Sequence, residues 1–211
     1  MRDLDIRGAG NLLGGEQSGF INEIGYDTYL KILQEAVEEL KETEFKELFP
    51  TNNNEEYIKE CIFESDLEIH IPDSYVEETT ERINLYRSID NINSEDALSN
   101  FEKELCDRFG PLPSQARALL NTLQLRWVAK KIGFEKLILK NGVLIGYFLT
   151  NEESPYYQSD SFTKILEFLK INHQTCKMQE NNKRLSLTIK NIKTVEDALV
   201  CLNNISNVEM K

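Results

Sequence analysis

The first place to look for chemistry is the glycine-rich opening. Gly8, Gly10, Gly14, Gly15, Gly19 and Gly25 are six of the ten glycines in this 211-residue chain. Glycine permits positive φ and close approach of another group to the backbone, so residues 1–25 are expected to form a shaped loop. Gly8-Ala9-Gly10 invites comparison with dinucleotide-binding turns. The spacing here is GxGxxxG instead of GxGxxG, and too little chain precedes it to build the strand that such a turn follows. There is no GxxxxGK[ST], so the chain carries no lysine and amide cradle for an ATP phosphate, and no cofactor is expected in it.

Other reactive residue types are scattered. His70 and His173 lie far apart without an HExxH-like partner, and no Ser/His/Asp constellation is marked by spacing. Cys61, Cys106, Cys176 and Cys201 form no CxxC, which argues against a zinc site or a disulfide framework and for reduced thiols. Glu38-Glu39 and Glu55-Glu56 read as solvated faces. Arg117, Arg126, Lys130 and Lys131 meet no acid between positions 109 and 134. Three of them stand near a helix C-terminus, where each cation gains about 0.3–1 kcal/mol from the helix dipole; a partner-binding patch is the other reading.

Composition sets the class. Hydrophobic residues make up 40% and aromatics 9%, enough for a sizeable core. No run of 18 apolar residues spans a membrane, and no apolar h-region follows Met1, so a cytoplasmic location without membrane contact is expected. The net charge of −12 is divided as −2 over residues 1–25, −6 over 26–60 and −4 over 61–211. Autonomous DNA binders draw affinity from neutralising phosphates and carry a basic footprint, which this chain lacks.

The elements follow from periodicity. Tyr26, Tyr29, Leu30, Leu33, Val37 and Leu40 fall at helical spacing, and Pro50 with Thr51-Asn52-Asn53-Asn54 ends that pattern, placing a linker over 51–60. Leu67, Ile69 and Ile71 alternate as a strand ending at Pro72. Helices are expected over 74–89, from Ser94 to Gly110, and over 114–132 with Gly133 closing the last. On that third helix Ala116, Leu119, Leu120, Leu123 and Trp127 share one face. Period 2 then takes over in a hairpin turning at Asn141-Gly142, a pair suited to the type I′ turn. A helix near 161–171, a second hairpin turning at Asn181-Asn182, and a last helix opening at Thr194 with Asp197 three residues on complete the chain. Segregated helices and hairpins make the class α+β: helices plus a small antiparallel hairpin sheet, preceded by the loop and an amphipathic helix.

Residues 1–14, Met-Arg-Asp-Leu-Asp-Ile-Arg-Gly-Ala-Gly-Asn-Leu-Leu-Gly, continued by Glu16-Gln17-Ser18-Gly19, resemble the translocation motif shared by the RecG branch-migration helicase and the transcription-repair coupling factor. Ala9 and Asn11 favour the latter family. Ile71-Pro72, Tyr75-Val76, residues 82–86 (Arg-Ile-Asn-Leu-Tyr) and residues 107–113 (Asp-Arg-Phe-Gly-Pro-Leu-Pro) resemble its C-terminal domain, which RecG lacks. The quotable likeness runs to about residue 147.

The resemblance implies that residues 1–50 are the tail of a motor domain whose ATP and magnesium sites lie upstream, and that 61–211 form a regulatory C-terminal domain. The parent would be an ATP-dependent translocase on double-stranded DNA that also contacts RNA polymerase. Arg7 and Gln17, with Arg2 more weakly, match the motif's coupling positions, and Gly8, Gly10, Gly14 and Gly19 shape the loop. Arginine offers a rigid donor fork to phosphate or carboxylate, and glutamine both donates and accepts. An ion pair of Arg7 with Asp3 or Asp5 that pins the loop is the alternative role. The regulatory domain would hold the protein's own N-terminal module and so mask the surface that recruits UvrA. A free-standing, non-catalytic interaction module is the competing expectation.

Overall fold

The computed structural model describes residues 57–151, 154–181 and 184–207. Five α-helices and a five-stranded sheet account for most of them. Strand β1 (Ile62–Ser65) is followed by α1 (Thr79–Asp90), α2 (Glu95–Phe109) and α3 (Ser114–Ile132). Then come β2 (Phe134–Lys140), β3 (Val143–Phe148), a 3₁₀ turn (Pro155–Gln158), α4 (Asp160–Ile171), β4 (Cys176–Asn181), β5 (Arg184–Lys190) and α5 (Val195–Ser206). The α+β class is as expected.

The sheet order is β1-β2-β3-β5-β4. β2, β3, β5 and β4 pair antiparallel, whereas β1 runs parallel to β2 with Ile62 opposite Lys136 and Ser65 opposite Leu139. Parallel neighbours need a long crossover, and the three helices α1–α3 supply it.

Local chemistry fixes the element ends. Ser94 accepts a hydrogen bond from Ala97 N–H at 3.3 Å at the start of α2, and Gly110 stops that helix at φ 86°. At the start of α5, Asp197 N–H donates to Thr194 Oγ1 at 3.0 Å while Asp197 Oδ2 accepts from Thr194 N–H at 3.0 Å, a complete capping box. Burial works against ionisation of Asp197, but the N–H groups of Lys193 and Thr194 outweigh it and hold its carboxyl below the usual range. Asn141 and Gly142 both take positive φ, as the type I′ turn between β2 and β3 requires.

Two sequence expectations need correction. Residues 67–71 form no strand; β1 lies earlier, because Leu67 is left exposed and Ile71 turns into the helical core with its N–H donating to Tyr86 Oη at 2.8 Å. Helix α1 starts at Thr79 instead of 74, since Tyr75 and Val76 N–H both donate to Pro72 O at 3.1 Å in a turn. Asn181 ends β4 opposite Arg184, and the rest of the expected Asn181-Asn182 turn lies outside the described residues.

Two apolar cores form, and α3 serves both. Ala116, Leu119, Leu120, Leu123 and Trp127 face the helical core of Val76, Leu85, Leu98 and Leu105. Ala118, Leu125, Val128, Ala129 and Ile132 face the sheet core of Leu137, Leu139, Leu144 and Leu187. At about 100° per residue the two stripes lie roughly 180° apart around one helix. Every other described element contributes to one core. Asn121 Nδ2 donates to Glu196 Oε1 at 3.0 Å and ties α3 to α5.

The C-terminus of α3 is locked by Tyr156, the largest fully buried side chain. Its hydroxyl donates to Ile132 O at 2.7 Å, satisfying a carbonyl that the helix end leaves orphaned. Its ring lies where a Cβ on Gly133 would sit, 2.2 Å from Cε2, and Gly133 itself has φ 112°. Gly146 is equally constrained: a Cβ there would come within 2.5 Å of Phe134 Cε1. Burial raises the tyrosine hydroxyl well above its ordinary range. Burial also pushes the Cys61 thiol up to about 12 and the Cys201 thiol up to about 11.

Tyr156→Phe should cost about 1–3 kcal/mol by stranding the Ile132 carbonyl, and Leu125→Ala about 2–5 kcal/mol by opening a cavity. Urea unfolding measures both. Cys61 and Cys201 should resist thiol reagents at pH 8 until the chain unfolds, as timed labelling with and without denaturant will report. Because their folded protons are held more tightly, stability should be fully present below about pH 8.5, the unfolded thiol range, and fall as pH rises towards 11–12.

Candidate interaction faces

Arg2, Arg7, Gln17, Gly8, Gly10, Gly14 and Gly19 lie outside the described residues, as do the amphipathic stretch 26–42 and most of the expected linker. Among the described residues no group of His, Cys, Asp and Glu could hold a metal ion. His70 and His173 are both exposed, and His173 Nδ1 lies 3.4 Å from Lys170 O, a contact within its own helix end. No described helix is long and apolar enough to cross a membrane.

The motif residues of the helical half turn out to brace it. Tyr75 Oη stands 2.9 Å from Gly110 O and 3.1 Å from Leu105 O, at the end of α2. Arg82 donates to Val76 O at 2.6 Å and Glu77 O at 3.1 Å, clamping the turn that leads into α1. Arg108 bonds Glu81 of α1, meets Glu104 at 3.2 Å and lies 4.8 Å over the Phe109 ring. These contacts explain why the segments 71–76, 82–86 and 107–113 go together: they converge on one small helical core.

The basic group on α3 disperses. Arg126 donates to Cys61 O and to Glu60 Oε1, both at 2.9 Å, and pins α3 to the lead-in of β1. Arg117 meets Glu102 at 3.6 Å. Their acids come from outside the 109–134 window, so the sequence could not reveal them. For these two residues a fold-bracing role replaces the patch.

The charge of the domain is polarised. Residues 57–113 hold fourteen acidic and five basic residues, whereas 114–211 hold nine acidic and fourteen basic. The helical half is therefore acidic and the sheet half basic. All the helices of the sheet core pack on one side of the sheet, the side of Leu137, Leu139, Leu144, Leu187 and Ile189. The opposite side carries Ile138, Ile145, Tyr147 and Thr188, all half-exposed, with Ile62 58% exposed at the β1 edge. Alternation put these residues there, but sequence patterning alone did not say which side the helices would leave bare. On that side Lys136 reaches Glu64 at 2.6 Å and its hydrogen bond holds the Glu64 carboxyl below the usual range. Arg184 lies 5.1 Å over the Tyr147 ring and 3.4 Å from Glu135.

Comparison with known proteins agrees with this architecture. Residues 65–159 match the TRCF domain family. The chain is 32% identical to the transcription-repair-coupling factor of Rickettsia conorii over 98% of its own length, and 37% identical to that of Escherichia coli K12 over 64%. It spans 17% and 11% of those two relatives. A crystal structure of the C-terminal domain of transcription-repair coupling factor superposes with a TM-score of 0.57, covering 70% of this chain and 92% of that one at 18% identity, a likeness of fold. With a TRCF domain across the helical core and the first hairpin, and curated relatives matched along nearly its whole length, the chain belongs to the transcription-repair coupling factor family.

Proposed function

We propose that the chain is the C-terminal part of an ATP-dependent double-stranded DNA translocase that couples transcription to nucleotide excision repair. Residues 1–50 supply the motor-coupling loop, and 61–211 act as a non-catalytic domain that engages the protein's own N-terminal module and masks UvrA recruitment. ATP, magnesium and the RNA polymerase contact belong to the parent chain. The observation that carries this reading is the 32% identity over 98% of the chain, which reaches past the TRCF domain into the glycine-rich opening. The bracing role of its motif residues supports a domain that works by presenting a rigid surface.

In the parent protein, Arg7→Ala should remove a charge-assisted hydrogen bond worth about 1.5–3 kcal/mol and slow translocation roughly ten- to a hundredfold. Gln17→Ala should act in the same direction. Triplex displacement along duplex DNA measures both, and normal rates in the double variant would remove the motor-loop assignment. Deleting 61–211 from the parent should tighten UvrA binding in calorimetry; unchanged affinity would favour a free-standing interaction module.

A further inference from the structure

An antiparallel sheet covered on one side ordinarily turns polar residues to solvent on the other. Here the side left uncovered by the described residues runs through Ile138, Val143, Ile145 and Tyr147 on β2 and β3, with Ile62 on the edge strand β1. Registers place them as neighbours: Ile138 is opposite Ile145, and Ile145 is opposite Thr188. A contiguous apolar patch with a polar rim is the form of a protein contact.

The rim has a sign. Lys136, Lys140, Lys177, Lys190 and Arg184 surround the patch, against Glu64 and Glu135. Glu64 is shared between Lys136 at 2.6 Å and Lys140 at 3.8 Å, so one carboxylate serves two ammonium groups. The Nε of Arg184 is buried and has no hydrogen-bond partner among the described residues. It borders an open groove of about 650 Å³ lined also by Tyr57, Lys59, Glu60, Ile62, Glu135 and Lys136, at the end of the same face. A buried donor without an acceptor is unfavourable, and an incoming carboxylate would satisfy it through the planar guanidinium fork.

We infer that the bare face of the sheet docks an acidic segment of a partner protein, with aliphatic side chains over Ile138 and Ile145 and a carboxylate on Arg184 Nε. Charge complementarity selects the acid, and the β-branched centre selects a protein over a nucleic acid. Single-stranded nucleic acid would call for a run of stacking aromatics and a broadly basic groove, where this face offers Tyr147, with Tyr57 in the groove at its end, and an aliphatic middle. The inference goes beyond the masking role above and stands without it, since it needs only this chain and its ligand.

The test uses the full 211-residue chain, isotopically labelled and titrated with a short synthetic peptide alternating glutamate and leucine. Saturable amide shifts at Ile138, Ile145 and Thr188 are expected, and raising salt should weaken them. Lys177→Glu combined with Lys190→Glu, both exposed, should weaken binding roughly tenfold while leaving thermal unfolding in place. Arg184→Lys should weaken it too, because an ammonium has no fork. Shifts confined to α1 and α2, an equal response to a lysine–leucine peptide, tighter binding of oligodeoxythymidine than of the acidic peptide, or no shift at millimolar peptide would each overturn the inference.

Discussion

The two-sided burial of α3 is the constraint on which the rest of this domain depends. A helix normally hides one apolar stripe and wets the other side. Here opposite stripes are both hidden, with Leu120 and Leu125 at 4% and 0% exposure, so neither core can close without the same backbone in place. Ile132, Gly133 and Tyr156 fasten its far end to the sheet, and Arg126 fastens its flank to the lead-in of β1. The acidic helical half and the basic sheet half are thereby held as fixed neighbours on one rod.

Two faces of opposite sign are thereby placed rigidly and on different residues. Burial keeps the Cys61 and Cys201 thiols protonated, and His70 and His173 stand exposed and apart. The bracing of Tyr75, Arg82 and Arg108 inside the helical half means that substitutions there act on the shape of the acidic face as much as on its charge.

Much of the fold was legible because it rests on local chemistry. Ser94, Gly110, Gly133, the Asn141-Gly142 turn and the Thr194–Asp197 box each fix a boundary through bonds within a few residues, and each stands where the pattern put it. The first stripe of α3 could be read from its spacing. The second was hidden, because a helix apolar on both sides has weak periodicity. β1 was missed for a related reason: its partner is β2, some seventy residues away, and its own four residues scarcely alternate in burial. Ile71 followed strand spacing yet answers to Tyr86, a tertiary partner.

Of the candidate sites, the opening motif rests on a likeness of sequence, with Arg7 and Gln17 outside the described residues. The sheet face could not be found from alternation, because which side stays bare is decided by where α3, α4 and α5 pack. The central claim, that one helix makes two cores a single cooperative body, is tested by Leu120→Ala, which removes a contact on the helical side. Trp127, the sole tryptophan, reports that side by fluorescence, and native-state hydrogen exchange at Leu139 and Leu144 reports the sheet. If the two cores unfold as one body, the free energy lost in the fluorescence transition, about 2–5 kcal/mol, is lost equally from the strand amides. Strand protection unchanged while the fluorescence transition shifts would contradict it.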